Sequence, residues 1–480
     1  MSAIDLTRLP TLPARNPRSG QPDHEMPVFA AADVASVAAG LNGAQPTWAA
    51  LPVAARLAQL ALLADALLAE QAALVAAISA DTGRHSESVV EVMAVVGIIR
   101  RWLDEAPALL AQPAARRSRV PHVWVEQQLQ PYAVAGIISP WNFPLILSLI
   151  DAIPALAAGC AVMIKPSEAT PRFVPVLRQV IARVTGLDAV LQLITGPGST
   201  GEALVRHSDV VCFTGSVRTG QRVAALAAEV FVPVHLELGG KDAAIVCADA
   251  DLPRAARALA WGSMGSAGQS CMSIERCYVQ QPVFERFVEL LTAQVSALKH
   301  CWPDIRQGQI GPIIASVQIP VVRQQLQDAF ARGARATTGG QVIELGGGAW
   351  CQPTVLVDVT PEMAVMQEES FAAILPVMPY GEDAEAVALA NSTQFGLSGC
   401  VFSQQGARAR RIAAQLQAGA ISINDAALTA MVYDAAKQSF KRSGLGGSRM
   451  GSASLQRFYR QQAFLINDGT DSPWWFAPPP

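Results

Sequence analysis

Five short apolar runs decide the fold: YAVAGIIS (132–139), CAVMIKP (160–166), AVLQLIT (189–195), VVCFTGS (210–216) and VPVHLEL (232–238). The stretches between them have helical patterns: one that ends at Ala158, then 171–185, 201–207 and 217–228. Alternation of β-rich and helical segments predicts a parallel sheet covered by helices on both faces, which is an α/β fold.

The flanking regions extend this pattern. Leucines recur at intervals of three or four residues from Val34 to Ala80, and a second helical pattern runs from Glu87 to Leu110. Asp81-Thr82-Gly83 predicts the end of the first helical stretch. The first thirty residues are rich in proline and polar side chains, so we expect them to cross the surface without regular structure. A second α/β section covers about 240–440.

Composition excludes several classes of protein. The 480 residues suggest about three domains, and 51% hydrophobic against 16% charged residues excludes a disordered chain. The net charge of −3 offers no basic field for nucleic acid. Prolines interrupt the longest charge-free run, 127–150, so we expect no membrane span.

Cysteine usage indicates a reduced compartment. The eight cysteines include no CxxC pair and do not cluster with the six histidines, so neither a metal site nor a disulfide framework is expected. The start, MSAIDLTRLP, lacks the apolar core of a signal peptide. We therefore expect a cytoplasmic protein.

Two glycine-containing loops could hold a dinucleotide. Gly196, Gly198 and Gly201 form a G-x-G-x-x-G pattern after a predicted strand, although no acidic residue follows about 20 positions later. Gly215 and Ser216 follow a second strand, and a serine there can cap a helix whose N-terminus favours anions. A plain strand-to-helix turn explains the second loop equally well.

Cys271 is the candidate nucleophile. It lies in SAGQSCMS (266–273), where small side chains leave room for another molecule. The other cysteines lie mostly in apolar runs, such as those around Cys212 and Cys247, which is typical of inert core thiols.

Two further polar residues admit both structural and catalytic interpretations. Glu237 ends an apolar run before a Gly-Gly pair, as either a structural hydrogen-bonding group or a general base. Asn142 lies in SPWNFP (139–144), where it could satisfy a turn or act as a rigid donor to an oxyanion.

Six motifs together resemble the aldehyde dehydrogenase superfamily. In chain order they are SPWNFP (139–144), KPSE (165–168), FTGS (213–216), ELGGK (237–241), GQSC (268–271) and EESF (368–371). The resemblance covers nearly the whole chain. It implies a Rossmann-like cofactor domain (1–112 and 132–239), an α/β catalytic domain (240–445) and a small strand element for oligomerisation (113–131 and 458–471).

The resemblance implies NAD(P)-dependent oxidation of an aldehyde to a carboxylic acid. Cys271 matches the nucleophile that forms a thiohemiacetal and then a thioester. Asn142 and the Cys271 backbone N–H match the oxyanion donors, and Glu237 matches the base that activates water.

The same match implies the cofactor contacts, which are Trp141, Lys165, Glu168, Gly215, Ser216, Glu369 and Phe371. Lys165 and Glu168 are expected at the adenosine ribose, and Ser216 at the pyrophosphate. Glu369 is expected at the nicotinamide ribose and Phe371 beside the ring, although Ala372-Ala373 replace the family's usual Gly-Pro. NAD is expected over NADP because Glu168 disfavours a 2′-phosphate, an effect that Lys165 could offset.

The resemblance leaves two alternative functions. Acyl-CoA-forming semialdehyde dehydrogenases of this fold typically lack the glutamate that matches Glu237, so its presence favours hydrolysis. A non-catalytic structural protein, as in some lens crystallins, is expected to lose Cys271, Glu237 or Asn142, and all three are present. The partners expected are a small aldehyde and further copies of the chain, as a homodimer or homotetramer.

Overall fold

The computed structural model describes residues 5–470, so the expectations for residues 1–4 and 471–480 fall outside it. Its α-helices are Ala31–Ala50, Val53–Ala69, Gln71–Thr82, His85–Leu109, Pro144–Leu149, Ala152–Ala158, Phe173–Ala182, Gly198–Arg206, Val217–Glu229, Leu252–Met264, Phe284–Ser296, Gln318–Ala331, Ala364–Gln367, Asp383–Ala390, Gly406–Ala413 and Leu428–Met431.

The first large sheet, called here the six-stranded sheet, contains the five apolar runs. In spatial order its strands are Gly444–Leu445, Val234–Glu237, Val210–Thr214, Val134–Ile138, Ala161–Lys165 and Leu191–Leu193. All neighbours are parallel except the short first strand, which is antiparallel. The predicted α/β fold is confirmed.

The second large sheet, called the seven-stranded sheet, follows directly in the chain. Its strands in spatial order are Arg335–Thr338, Thr354–Val357, Ile374–Tyr380, Ile274–Gln280, Asp242–Val246, Ser398–Phe402 and Ala420–Ile423. Only the pair at the Arg335–Thr338 edge is antiparallel. Its five inner strands are almost wholly buried, as expected when helices cover both faces of a parallel sheet, whereas the edge strands Arg335–Thr338 and Ala420–Ile423 are partly exposed.

The N-terminal helical region packs on the six-stranded sheet. The predicted stretch Val34–Ala80 is three helices, because Pro52 and Glu70 interrupt it. Gly83 ends the third helix with φ +68, a conformation that glycine adopts without strain. The spaced leucines Leu57, Leu60, Leu63, Leu67 and Leu74 are buried in the same core as the sheet.

The expectation of an irregular N-terminus was wrong. Thr11–Arg15 and Pro22–Pro27 form an antiparallel hairpin, with Ala14 and Met26 buried. Arg18 at its tip donates to the carbonyls of Cys301 and Pro303 at 2.6 and 2.7 Å. These arginine–carbonyl hydrogen bonds hold the turn of the hairpin in place, so the hairpin forms although it buries few apolar side chains.

A smaller three-stranded sheet lies apart from the two large ones. Tyr459–Asn467 pairs antiparallel with Val123–Pro131 over nine residues, and Arg116–Arg117 pairs on the other side. Tyr459–Asn467 is therefore an edge strand, and it exposes the apolar Leu465 at 72%. Residue 471 of the element expected from the sequence lies outside the described residues.

The two large sheets are joined end to end. Residues 238–241 leave the carboxyl end of Val234–Glu237 and enter the amino end of Asp242–Val246. No single helix in residues 5–470 is long and apolar enough to cross a membrane. Ala31–Ala50 and Val53–Ala69 meet that criterion only as a pair, and the pair is bent by 117°.

Candidate active site

Cys271 is the most accessible of the eight cysteines. The other seven, all within the described residues, are buried, whereas Cys271 is partly exposed. Burial raises the pKa of its thiol to about 11, although the charge of Lys437 acts in the opposite direction. Only roughly one thiol in 10⁴ is ionised at pH 7, so the thiol needs help to become a nucleophile.

The loop that carries Cys271 is held in place by buried polar contacts. Ser266 and Ala267 both have φ +56, a region that side chains rarely adopt. Gln269 donates to the Pro312 carbonyl at 3.0 Å and accepts from the Ile314 N–H at 2.9 Å. The loop is therefore fixed before any ligand binds.

Asn142 lies beside this loop. It follows the strand Val134–Ile138, is buried, and donates from Nδ2 to the Gln269 carbonyl at 3.0 Å. An amide nitrogen carries two hydrogens, so one stays available for a ligand. The Cys271 N–H makes no backbone hydrogen bond within residues 5–470.

Two buried charged residues position Asn142. The guanidinium of Arg84 donates to the Asn142 carbonyl and lies 5.1 Å from the centroid of the Phe143 ring. Glu91 accepts from the Leu145 and Ile146 N–H groups at 3.0 and 3.2 Å, at the start of the next helix. These contacts limit movement of the Asn142 amide.

The Gly239-Gly240 pair brings the two sheets together at the nucleophile. A Cβ on Gly240 would lie 2.5 Å from the Cys271 carbonyl oxygen, and one on Gly239 would lie 2.6 Å from Glu369 Oε1. Such distances exclude any side chain without displacement. The glycines therefore let the backbone after Glu237 run directly beside Cys271 and Glu369.

Glu237 contacts a distant segment of the chain. Its Oε2 accepts from Ser439 Oγ at 3.5 Å, a long hydrogen bond that leaves most of the carboxylate free. Lys437, two residues earlier, places its ammonium 3.8 Å from the sulfur of Met272, the neighbour of Cys271. Segment 437–439 therefore lies against both Glu237 and the nucleophile loop.

The turn 369–371 completes the site. Glu369 Oε1 accepts from the Gly240 N–H at 3.0 Å, and burial followed by the charge of Glu275 raises the pKa of Glu369 to about 8. Phe371 has φ +50, and its ring meets that of Trp141 edge to face at 5.2 Å between centroids. Two of the residues expected to contact the cofactor, Trp141 and Phe371, are thus in contact with each other.

A buried ion pair holds this turn. The Glu275 carboxylate accepts from the N–H groups of Ser370 and Phe371 at 2.7 and 2.8 Å. The same carboxylate forms a 2.7 Å ion pair with Lys241, and both side chains are buried. Glu275 belongs to the strand Ile274–Gln280, which begins just after Cys271. Its contacts therefore link the ELGGK motif, this strand and the 369–371 turn.

The remaining cofactor candidates lie at the carboxyl edge of the six-stranded sheet. Strand order reverses between Val134–Ile138 and Val210–Thr214, and ligands of such sheets bind at this point. Ser216 follows the second of these strands and caps Val217–Glu229, accepting from the Thr219 N–H at 3.3 Å. Lys165 ends the neighbouring strand and pairs with Glu168 at 2.8 Å.

The G-x-G-x-x-G loop lies elsewhere. It follows Leu191–Leu193, the edge strand of the six-stranded sheet, not the strands at the reversal point. A Cβ on Gly196 would lie 2.1 Å from Thr200 Oγ1, so this glycine serves a tight turn. Within residues 5–470 no group of three His, Cys, Asp or Glu side chains is placed to hold a metal ion.

Residues 6–464 match the model of the aldehyde dehydrogenase family. The chain belongs to this family. It is accordingly an oxidoreductase of the aldehyde dehydrogenase type, and members of the family use NAD or NADP.

Three similar proteins illustrate the range of the family. The solved structure that carries the name Aldehyde Dehydrogenase PutA, from Anabaena variabilis, is 47% identical, with a TM-score of 0.96 over 98% of this chain and 100% of that one. The 2-hydroxymuconic semialdehyde dehydrogenase of Pseudomonas sp. strain CF600 is 38% identical over 69% of each chain. Betaine aldehyde dehydrogenase of Staphylococcus aureus, in complex with NAD+, is 27% identical, with a TM-score of 0.90 over 98% of this chain and 94% of that one.

Sequence reasoning missed the residues that support the site. Arg84, Glu275, Lys437 and Ser439 each contact a predicted site residue or its immediate neighbour. Only one of them carried a usable signal: Glu275, a charged residue within an otherwise buried strand, which needs a buried partner. Lys437 and Ser439 are far from the catalytic motifs in sequence.

Proposed function

We propose that this aldehyde dehydrogenase oxidises an aldehyde to a carboxylic acid through a covalent intermediate on Cys271, with NAD or NADP as the acceptor. One observation carries the proposal. Asn142, the Gly239-Gly240 pair and Glu369 all lie around the partly exposed thiol of Cys271. The net reaction is aldehyde + NAD(P)+ + water to carboxylic acid + NAD(P)H + H+.

Cys271 supplies the nucleophile. Its sulfur adds to the carbonyl carbon as the thiol proton passes to solvent water, giving a thiohemiacetal alkoxide. The free N–H of Asn142 Nδ2 and the Cys271 backbone N–H are the donors available to this oxygen. One such donor typically contributes about 3–4 kcal/mol of transition-state stabilisation.

A nicotinamide held near Trp141, Glu369 and Phe371 would supply the hydride acceptor, and oxidation of the thiohemiacetal would leave a thioester on Cys271. Glu237 then takes a proton from water, which attacks the thioester and releases the acid. The carboxylate is suited to this role because the one side-chain hydrogen bond that it makes within residues 5–470, from Ser439, is long. Its presence favours water over CoA as the acyl acceptor.

The residues present fit a dinucleotide. A capped helix start at the strand reversal suits a pyrophosphate, and the Lys165–Glu168 pair lies on the adjacent strand end. Lys165 outweighs burial and lowers the pKa of Glu168, so this carboxylate is ionised at neutral pH. An ionised Glu168 can accept from a ribose 2′-hydroxyl and repels a 2′-phosphate, which supports NAD over NADP.

We assign the cofactor domain to 1–112 and 132–239, the catalytic domain to 240–445, and the oligomerisation element to 113–131 and 458–471. The last assignment is supported by the exposed edge strand Tyr459–Asn467, because an apolar strand edge invites pairing with another chain. We expect a homodimer or homotetramer, which light scattering measures as a multiple of 50.6 kDa. A stable, active monomer would contradict the assignment.

The direct test of the proposal is the Cys271→Ala variant. NADH formation with a panel of aldehydes is expected to fall to background, while NAD binding is retained, because the thiol contacts the substrate and not the dinucleotide. Cys247→Ala, at a buried thiol, is the matched control and is expected to stay active. Iodoacetamide is expected to label Cys271, faster as pH rises toward its pKa of about 11. Substantial turnover by Cys271→Ala would refute the nucleophile.

A further inference from the structure

Lys437 places a positive charge at the nucleophile. The side chain is half-buried, and its ammonium lies 3.8 Å from the Met272 sulfur. A thioether is only a weak acceptor, so this contact leaves the charge uncompensated. The lysines that form ion pairs with carboxylates in residues 5–470 are Lys165 and Lys241, and Lys437 is not among them.

No carboxylate within residues 5–470 forms an ion pair with this ammonium. The nearby Glu237 accepts instead from Ser439 Oγ, and the charge of Lys437 acts on Asp242 only through space, where it lowers the pKa of that carboxyl against burial. Arg449 is paired with Asp151 at 2.7 Å. Asp242 accepts from both the N–H and the hydroxyl of Ser398, and burial raises its pKa to about 7. Burial and Glu275 raise the pKa of Glu369 to about 8. At neutral pH the Asp242 carboxyl is therefore about half ionised, and the Glu369 carboxyl is largely protonated.

The backbone around Lys437 is fixed. Its N–H donates to Ser448 Oγ at 3.0 Å, and the next side chain, Gln438, donates to the Gly446 carbonyl at 3.2 Å. The Cα of Lys437 therefore has a defined position beside the site, while the four-carbon side chain can adjust to a ligand. The charge of Lys437 also acts on the Cys271 thiol, whose pKa it lowers against burial, so the ammonium lies near any ligand bound at Cys271.

We propose that Lys437 binds a second, remote carboxylate on the substrate, so that the enzyme prefers short aldehydes with a terminal carboxylate. This inference rests on the proposed function and names its substrate class. A half-buried ammonium without a carboxylate partner recognises an anion better than an exposed one does, because water and salt screen it less. Lys437 is thus a specificity residue.

The test compares succinic semialdehyde with butanal, two four-carbon aldehydes that differ in the terminal carboxylate. The quantity measured is the ratio of their kcat/KM values in the wild type and in Lys437→Met, Lys437→Arg and Lys299→Met. Loss of a charged hydrogen bond is expected to lower the ratio about 10- to 100-fold in Lys437→Met, mainly through KM for the semialdehyde. Lys437→Arg and the exposed-lysine control Lys299→Met are expected to keep it within about threefold.

A second measurement needs neither turnover nor cofactor. Succinate is expected to protect Cys271 from iodoacetamide at about tenfold lower concentration than butyrate in the wild type, and to lose this advantage in Lys437→Met. An unchanged kcat/KM ratio in Lys437→Met would overturn the inference. Equal losses of kcat/KM with both aldehydes would also overturn it, because Lys437 would then act on the Cys271 thiol and not on the substrate carboxylate. Oxidation of neither aldehyde together with selective protection by succinate would contradict the proposed function and support the anion site.

Discussion

The two large sheets present opposite ends of their strands to the site. The six-stranded sheet contributes its carboxyl ends, where Asn142, Lys165, Ser216 and Glu237 lie at or just after strands. The seven-stranded sheet contributes its amino ends, where Gly240, Cys271 and the 369–371 turn precede strands.

This difference separates two ways of placing functional groups. At the carboxyl ends, position follows from topology, since the strand reversal and the following helix start already form a site. At the amino ends, position depends on loops that buried contacts must hold, such as the Lys241–Glu275 pair and Gln269. The nucleophile is on the second side, where the loops follow no strand of the sheet and such contacts alone hold them.

Glu237→Gln is expected to give the largest effect. It removes the base at a carboxyl end and leaves the amino-end loops intact, so thioester formation continues and hydrolysis slows about 10²- to 10⁴-fold. Rapid mixing is expected to show a burst of NADH near one equivalent per site, followed by a slow phase. Unchanged steady-state turnover would mean that another group activates water.

Gly240→Ala and Gly198→Ala compare the two sides directly. A Cβ on Gly240 would collide with the Cys271 carbonyl, whereas Gly198 has open space around its Cβ position. We expect Gly240→Ala to cost about 1–3 kcal/mol in the free energy of unfolding and to lower kcat. Gly198→Ala is expected to change neither. Chemical denaturation and initial rates measure both, and equal behaviour of the variants would contradict the close packing at the nucleophile.

Glu168→Gln is expected to give the smallest effect. Removing this charge at the carboxyl edge leaves Lys165 unpaired and improves binding of a 2′-phosphate. The ratio of kcat/KM for NAD over NADP is expected to fall about tenfold, which corresponds to about 1.4 kcal/mol. Glu229→Gln, at the far end of the helix that Ser216 caps, is the matched control. A wild-type preference for NADP would contradict the assignment of Glu168.

The carboxyl-end side was the easier one to predict from the sequence. The five apolar runs all became strands of the six-stranded sheet, because period and length are local signals. The G-x-G-x-x-G loop shows the limit of such signals: its spacing was right, but strand order, which depends on the whole chain, put it at the sheet edge.

The amino-end support could not be predicted in the same way. Glu275 meets Ser370 across 95 residues, and Ser439 meets Glu237 across 202. Hydrophobic periodicity in a sequence reports local helices and strands, so it carries no signal for contacts between residues so far apart. Cys271 was found because small neighbours made its loop unusual, whereas Lys437 stands in a segment with no pattern of its own.

The hairpin at the start of the chain has a consequence for synthesis. Arg18 lies against the rings of Trp302 and Trp350, 5.1 and 5.7 Å from their centroids, and its partner Cys301 lies 283 residues later. A ribosome that adds roughly 5–20 residues per second needs about 15 to 60 seconds to supply these partners. The hairpin can therefore reach its final place only after residues 301–350 have been made, long after its own two strands are complete.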